Sequence, residues 1–200
     1  MPAFDLRGVK VAKYVNNNGT ITYTNKQTAG DAMTANLDLR FAEGRLYAES
    51  TLAEYVRKAV GGTIQLGVKY IPDAAKKMMF GMNEKSRSVT YQVGTTEVTE
   101  TVTGLQLGAE SQSAYVGLAF YAPDMIDGVQ KYTAVFAPKV LFGPPPKNFQ
   151  TAGENINFQT DVTSGEFLAS NAIDKLILES AICDNEAEAK AWVDAVLNAT

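Results

Sequence analysis

The chain has 200 residues, of which 46% are hydrophobic and 20% are charged, and its formal net charge is -4. These values favour one folded domain over a disordered or fibrous chain. The chain has no histidine, the commonest general base and zinc ligand, and its single cysteine, Cys183, cannot form a disulfide within the chain. We therefore predict a protein that is not an enzyme and that needs no cofactor or metal.

The acidic balance gives the chain as a whole no attraction for nucleic-acid phosphates. No apolar run approaches the roughly 20 residues that a membrane-spanning helix needs. The start of the sequence, MPAFDLRGVKV, lacks the apolar core of a signal peptide. We expect a protein that folds in a cytoplasm and does not contact a membrane.

The first predicted element is a β-hairpin. Val9, Val11 and Val15 alternate with more polar residues, and the run Thr20-Ile21-Thr22-Tyr23-Thr24 follows. Between the two runs, Asn17-Asn18-Gly19 supplies residues that accept the positive φ angles of a tight turn.

Two amphipathic strands follow, at 33–41 and 62–70, and each has one apolar and one polar side. The apolar sides carry Met33, Ala35, Leu37, Leu39, Phe41, Ile64, Leu66, Val68 and Tyr70, and we expect them to face a core. The polar sides predict a wet, exposed face that carries Thr34, Asn36, Asp38, Thr63, Gln65 and Lys69.

Residues 42–61 connect these strands and have mixed periodicity, which predicts a long loop; a local helix at 51–59 is the alternative. Long loops in compact domains usually carry function. Apolar anchors such as Leu52 and Val56 alternate here with charges of both signs, as in a self-complementary contact. The predicted assembly residues are Glu43, Arg45, Tyr47, Glu54, Tyr55, Arg57 and Lys58.

The rest of the chain predicts a mainly β architecture with two helices. Pro72, Asp73 and Gly81 mark the ends of a short helix at 72–80, and Asn185 with Glu188 begins a second helix that closes the chain. Strands are predicted at 87–93, 98–107, 115–121, 129–140 and 155–162, with Gly143-Pro144-Pro145-Pro146 in an extended loop. We predict a β-sandwich domain over 1–182, with the assembly loop at 42–61, and a C-terminal helix over 183–200.

Motifs for phosphate, dinucleotide or metal binding are absent from the sequence. Asp161 and Glu166 are candidates for an acid and base pair, but solvated strand ends are the simpler interpretation. Lys76, Lys77, Lys85 and Arg87 form a weak basic cluster, which does not favour nucleic-acid recognition.

Three stretches of the sequence, in this order, resemble the major tail protein family of long-tailed phages and prophages of Gram-positive bacteria. They are VKVAKYVNNNGTITYTNKQTAG, RLYAESTLAEYVRKAVGGTIQLGVKYIPDAAKKMMFG and YVGLAFY with YTAVFAPKVLFGPPPKNFQTAGENINFQTDVTSGEF, and they span about residues 4–167. The C-terminal helix and the proline-rich turn depart from the family's pattern.

The resemblance implies a tail-tube-type β-sandwich that forms stacked hexameric rings, with the inner sheets joined into one barrel. Viral DNA would pass through the barrel without specific binding, and the polar faces of 33–41 and 62–70 would line its lumen. The implied partners are further copies of the chain, the tape measure protein, the tail terminator and baseplate or tail-tip proteins. The implied location is the virion tail, assembled in the bacterial host.

Two alternatives belong to other classes of protein. A monomeric β-sandwich that binds carbohydrate or another cell-surface ligand would use some of the nine tyrosines as an aromatic platform. A hydrolase that uses only carboxylates is the other alternative, and no motif supports it.

Overall fold

The computed structural model describes residues 5–48, 51–147, 149, 151, 160–172 and 174–198. Its regular structure is mainly β, as predicted, with two helices. The elements within these residues are β1 (Arg7–Asn17), β2 (Thr20–Thr28), β3 (Ala32–Ala48), β4 (Thr51–Val68), α1 (Asp73–Phe80), β5 (Asn83–Val93), β6 (Thr96–Gln106), β7 (Tyr115–Ile126), β8 (Val129–Phe142), β9 (Asp161–Phe167), β10 (Glu179–Cys183) and α2 (Glu186–Val196).

The first hairpin has the predicted turn. Asn18 and Gly19 both have positive φ, at 52° and 94°, and Asn17 pairs with Thr20. The Gly19 amide donates a hydrogen bond to the Asn16 side chain at 2.9 Å. Two successive positive φ angles give the turn the twist that antiparallel strands need, so this local prediction is confirmed.

Two sheets are present in the described residues. The larger one has the order β2-β1-β7-β8-β9-β4-β3, with β10 paired to β8, and the smaller one is the β5–β6 hairpin. The larger sheet changes direction at the long strand β8. One edge of this strand pairs with β10 along its first half and with β9 near its C-terminal end.

The main core lies between the two halves of the larger sheet. Val9, Val11 and Leu118 on one half pack in the same cluster as Ile64 and Leu66 on the other, and all five are fully buried. Facing sheets that enclose one apolar layer define a β-sandwich-type fold. The expected fold class is therefore confirmed.

Helix α2 forms a second cluster on the outer side of β1, β7 and β8. Ala189 and Val193 of α2 are fully buried there, with Ala12, Ala134 and the buried Cys183. The helix begins as predicted, because the Asn185 side chain accepts a hydrogen bond from the Glu188 amide at 2.9 Å. The division of the chain at 182/183 stays a prediction.

Helix α1 begins one residue later than predicted, at Asp73, with Pro72 at its N-cap position and Gly81, at φ 64°, ending it. Ala75 and Met79 are fully buried in the main core, and Met78 packs against it. The Lys76 side chain is also buried, with its Nζ 4.1 Å from the Tyr70 ring centroid and 3.4 Å from an Asp73 oxygen.

The interpretation of residues 42–61 as a loop is wrong, and so is the alternative of a local helix. Strand β3 continues to Ala48 and β4 begins at Thr51, so the segment belongs to one long hairpin. Cross-strand pairs continue from Ala32 and Val68 out to Ala48 and Thr51.

Two other strand predictions differ from the structure in part. Leu39 and Phe41 lie on the predicted side of β3 but are 40% and 37% exposed, because the described part of the chain does not cover that side fully; Met33, the unpaired residue of a β-bulge, is 55% exposed. The strand expected at 155–162 lies largely outside the described residues. In the described part, β9 begins at Asp161.

Candidate assembly surface

The first candidate surface is a flat polar face on β3, β4 and β9. Asn36 pairs with Gln65 and Asp38 with Thr63, and on the other edge of β4 these pair with Ser164 and Glu166. Residues at paired positions point to the same side of a sheet. We call this surface the polar face; it consists of Thr34, Asn36, Asp38, Thr63, Gln65, Ser164 and Glu166, which are all exposed.

The charges on the polar face are mostly negative. Asp38 and Glu166 lie in the same row of the sheet, and Arg40 Nη2 lies 3.8 Å from Glu166 Oε2. Both partners of that pair are more than half exposed, so the pair contributes little to stability.

The structure brings together five of the six residues that sequence predicted for the wet face. Lys69 lies just beyond the end of β4; it is exposed, and its amide donates a hydrogen bond to the Asp31 carbonyl at 2.9 Å. Ser164 and Glu166 were not predicted as part of the face, because nothing local in a sequence indicates which strand pairs with which.

The second candidate surface is the outer half of the β3–β4 hairpin, residues 41–59, which we call the arm. Its strand from Phe41 to Ala48 is about 25 Å long at about 3.3 Å per residue. Every side chain described from Phe41 to Tyr47 and from Ala53 to Lys58 is exposed. The described part of the chain therefore holds the arm only through its own cross-strand pairs.

One side of the arm carries a ladder of alternating charges and rings. Arg57 Nε and Arg45 Nη2 each lie 3.5 Å from a Glu43 carboxylate oxygen. The Arg57 guanidinium lies 3.9 Å from the Phe41 ring centroid, and that of Arg45 lies 5.5 Å from the Tyr55 ring. Each exposed contact contributes under about 1 kcal/mol, so the ladder stiffens the arm without burying it.

The other side of the arm is less polar, and its charges form no ion pair with the described residues. Lys58 is opposite Ala42, Val56 opposite Gly44 and Glu54 opposite Leu46, on the side away from the ladder. Leu46 and Val56 are 58% and 64% exposed. We call this side the outer side of the arm.

The structure thus divides the predicted assembly residues between two sides. Glu43, Arg45, Tyr55 and Arg57 form the ladder, and Glu54 and Lys58 lie on the outer side. Tyr47, near the tip, pairs with Leu52 and is 59% exposed.

A β-bulge and a glycine set the base of the arm. Arg40 pairs with Gly61 and Phe41 with Ala59, so Val60 is the extra residue of a bulge. Gly61 is buried with φ at 131°, and a Cβ there would lie 2.5 Å from the Phe167 carbonyl oxygen. The backbone at this base needs glycine.

Exposed apolar side chains are concentrated on the two hairpins. Most of the large apolar residues that are exposed in the described chain lie there. They are Met33, Leu39, Phe41, Leu46, Tyr47, Tyr55, Val56 and Val60 on β3–β4 and Val89, Tyr91, Val93 and Val102 on β5–β6.

The candidate acid and base pair is not brought together as a site. Asp161 begins β9, where its Oδ2 accepts a hydrogen bond from the Ile71 amide at 3.1 Å. Glu166 lies five positions along the same strand, about 16 Å away, and contacts Arg40. Asp161 therefore has a structural role at the start of the connection to α1.

Comparisons with known proteins do not identify a family. No protein-family model matches the chain, and no curated protein matches it. In the described part of the chain, neither helix is both long and apolar enough to cross a membrane. The fold and surface define a mainly β protein with a β-sandwich-type fold and two exposed hairpins.

Proposed function

We propose that this chain is a structural subunit that assembles with copies of itself into a tube, as the tail tube of a long-tailed bacteriophage does. The observation that carries the proposal is the concentration of exposed apolar side chains on two hairpins that extend from a well-packed sandwich. Large exposed apolar patches on a folded protein mark interaction sites.

The polar face supports a conduit. It is three strands wide, exposed and mostly negative, with Asp38 and Glu166 in one row and Arg40 close to Glu166. A lumen with unpaired lysines and arginines would hold DNA phosphates and slow their passage. In the proposed tube, six copies form a ring with this face inward, the rings stack, and viral DNA passes without specific contacts.

The remaining partners follow from the same proposal. One end of the tube would meet the tail terminator, the other the baseplate or tail tip, and the lumen would hold the tape measure protein before ejection. The assembled protein would be located in the virion tail.

The carbohydrate-binding alternative requires several aromatic rings on one surface. The exposed tyrosines in the described chain are spread over the arm, the end of β4, β5 and β7: Tyr47, Tyr55, Tyr70, Tyr91 and Tyr115. This distribution does not favour a single sugar platform.

Electron microscopy of the purified protein over a concentration series tests the proposal. We expect rings at intermediate and tubes at high concentration, with a central channel of constant width. A protein that stays monomeric at all concentrations, or one that binds glycans as a monomer, would refute it.

A further inference from the structure

The β5–β6 hairpin has one apolar side that no part of the described chain covers. Val89, Tyr91, Val93 and Val102 lie on this side and are 38%, 42%, 61% and 54% exposed. The opposite side is a ladder of hydroxyl groups, with hydrogen bonds of 2.8 Å between Ser86 and Thr103 and 2.9 Å between Thr90 and Thr99. The sequence therefore gives the hairpin two different sides, and the described part of the chain does not bury the side that carries the valines.

An isolated two-stranded hairpin is marginally stable in water and needs a further strand or a packing partner. The β5–β6 hairpin pairs with no other strand of the described chain. An apolar side this well separated from the polar one is typical of a surface that packs on something. The question is which surface covers it.

Three charged residues lie on the same side of the hairpin as the valines, in a defined order. Lys85 is opposite Gly104 near its base, Arg87 is opposite Val102, and Glu100 is opposite Val89. Lys85 and Val89 are four residues apart, so the positive and the negative end of this patch are separated by about 13 Å. In the described chain Lys85, Arg87 and Glu100 have no ion pair.

The outer side of the arm has a matching arrangement. Val56, opposite Gly44, is its exposed apolar centre; Glu54 and the exposed Leu46 form the row at one end, and Lys58 lies in the row at the other. Glu54 and Lys58 are also four residues apart on one strand, again about 13 Å. Neither has an ion pair in the described chain, whereas the charges of the ladder side already contact one another.

We infer that the β5–β6 hairpin of one copy docks its apolar side on the outer side of the arm of a second copy. Glu54 then lies at the Lys85 end and Lys58 at the Glu100 end. Val102, in the row between Lys85 and Glu100, packs on Val56, in the row between Glu54 and Lys58, while Leu46 and Val89 add apolar contacts at the two ends. Complementary charges set the register and exclude the reversed orientation, while the apolar centre supplies the affinity.

The contact is heterologous, because it joins two different surfaces and each copy has both. Such contacts close into rings or continue as open filaments. The inference rests on the proposed self-assembly and names the two surfaces that meet in it. It predicts that each copy gives one hairpin and receives another.

A charge exchange tests the pairing. The arm variant is Glu54→Lys with Lys58→Glu, and the hairpin variant is Lys85→Glu with Glu100→Lys; both keep the net charge at -4. We expect each variant alone to raise the protein concentration needed for assembly at least about tenfold, since like charges now meet. The chain that carries all four substitutions should assemble like the original.

Controls separate this inference from the proposed function. Glu179→Lys with Lys190→Glu makes the same exchange at exposed positions of β10 and α2 and should leave assembly unchanged. If the original chain assembles but the fourfold variant does no better than either double variant, the pairing is wrong and the self-assembly stands. If the original chain does not assemble, both fall.

Disulfide trapping gives a second readout that does not depend on charge. Val56→Cys and Val102→Cys are made in separate chains, and Cys183, which is only 3% exposed, does not compete. Mild oxidation of assembled mixtures should link one variant to the other and neither to itself. Efficient links between two Val56→Cys chains would show that arms pair with arms and would overturn the inference.

Discussion

Gly61 is the residue at which the arm leaves the body of the protein. Its φ of 131° lies in a region that residues with a side chain rarely adopt, and it directly follows the bulge at Val60. The carbonyl oxygen of Phe167, on the neighbouring strand β9, occupies the space that a Cβ would need. Gly61 thus affects both the direction of the arm, next to the bulge, and the packing of β9 against β4.

We expect Gly61→Ala to lower the free energy of unfolding by about 1–3 kcal/mol, because alanine would strain the backbone at this φ. Gly44→Ala is the matched control: Gly44 lies in the arm, and a Cβ added there would meet no heavy atom within 4 Å. Thermal melting measures both. Equal melting temperatures for the two variants would contradict the role of Gly61.

Asp194 is the residue that fastens the far end of α2 to the first hairpin. Its Oδ1 lies 2.7 Å from Lys10 Nζ and 2.8 Å from Lys26 Nζ, so one carboxylate joins the helix to β1 and β2. The hydrogen bond from Lys10, and then the one from Lys26, lower the pKa of Asp194 below its ordinary value of 3.8. The ionised form is therefore the one that the folded protein prefers.

A carboxyl group with a lowered pKa in the folded state stabilises the protein above its unfolded pKa, and this stabilisation is lost as pH falls through the folded value. We expect Asp194→Asn to cost about 1 kcal/mol at pH 7 and to reduce the loss of stability on acidification below about pH 4. Denaturant unfolding at a series of pH values measures this. Glu179→Gln, an exposed change on β10, is the control.

If Asp194→Asn and the original chain lose stability in parallel below about pH 4, the two lysine contacts do not hold α2. Other carboxylates contribute to the same pH range. Arg7 and Tyr121 lower the pKa of Glu186, and Lys131 lowers that of Asp184, both near the start of α2. The difference between variant and original, rather than the total acid sensitivity, is therefore the informative quantity.

At the scale of elements, the arm combines a regular hairpin with an exposed environment. Its paired backbone and the ladder of Glu43, Arg45 and Arg57 give it shape, and neither core cluster includes any of its residues. The arm is therefore separate from both cores. The role of the arm can therefore be tested by removing it.

Replacing residues 43–57 by Asn-Gly joins Ala42 and Lys58, which are directly opposite, through a two-residue turn. We expect a monomer that melts cooperatively, because no core residue is removed, and that forms neither rings nor tubes. Calorimetry and electron microscopy measure the two properties, with Glu179→Gln, an exposed change on β10, as the control that keeps the arm. Normal tubes from the excised chain, or a chain that cannot fold, would reject the arm as an assembly element.

At the scale of the whole molecule, the polar face and the surface covered by α2 lie on different parts of the sandwich. The polar face lies on β3, β4 and β9, over the main core, whereas α2 covers β1, β7 and β8. The proposed tube needs two such surfaces, because the side of the protein that faces the lumen and the side that faces outward have different surroundings. The proposed orientation puts the polar face inside and α2 away from it.

Cysteines at the positions of Asn36 and Gln65 test that orientation. In assembled tubes we expect a small thiol reagent to react and a bulky one to be excluded, whereas both react with monomers because these positions are exposed. Lys190→Cys on α2 is the control and should react with both reagents in both states. Cys183 adds little background, since burial raises the pKa of its thiol.

Equal labelling of Asn36→Cys by the two reagents in tubes would place the polar face outside the lumen. Protection of Lys190→Cys together with reaction at Gln65→Cys would mean that the subunit is turned around. In either case the self-assembly itself could still hold, because the microscopy does not depend on which face is inside.

The sequence by itself determined the local features of this protein. The Asn18-Gly19 turn, the Asn185 cap, the helix after Pro72 and the alternation of β3 and β4 near the core were all predicted, because each depends on neighbouring residues and their backbone preferences. The arm was not recognised as a hairpin, since both of its sides are exposed and mix apolar with charged residues. Alternation reports a strand only where one side is buried. Only the tertiary structure decided that β9 extends the polar face, that α2 covers one half of the larger sheet and that the described chain leaves the valines of β5–β6 exposed. These features depend on partners distant in the chain, which local patterns do not encode.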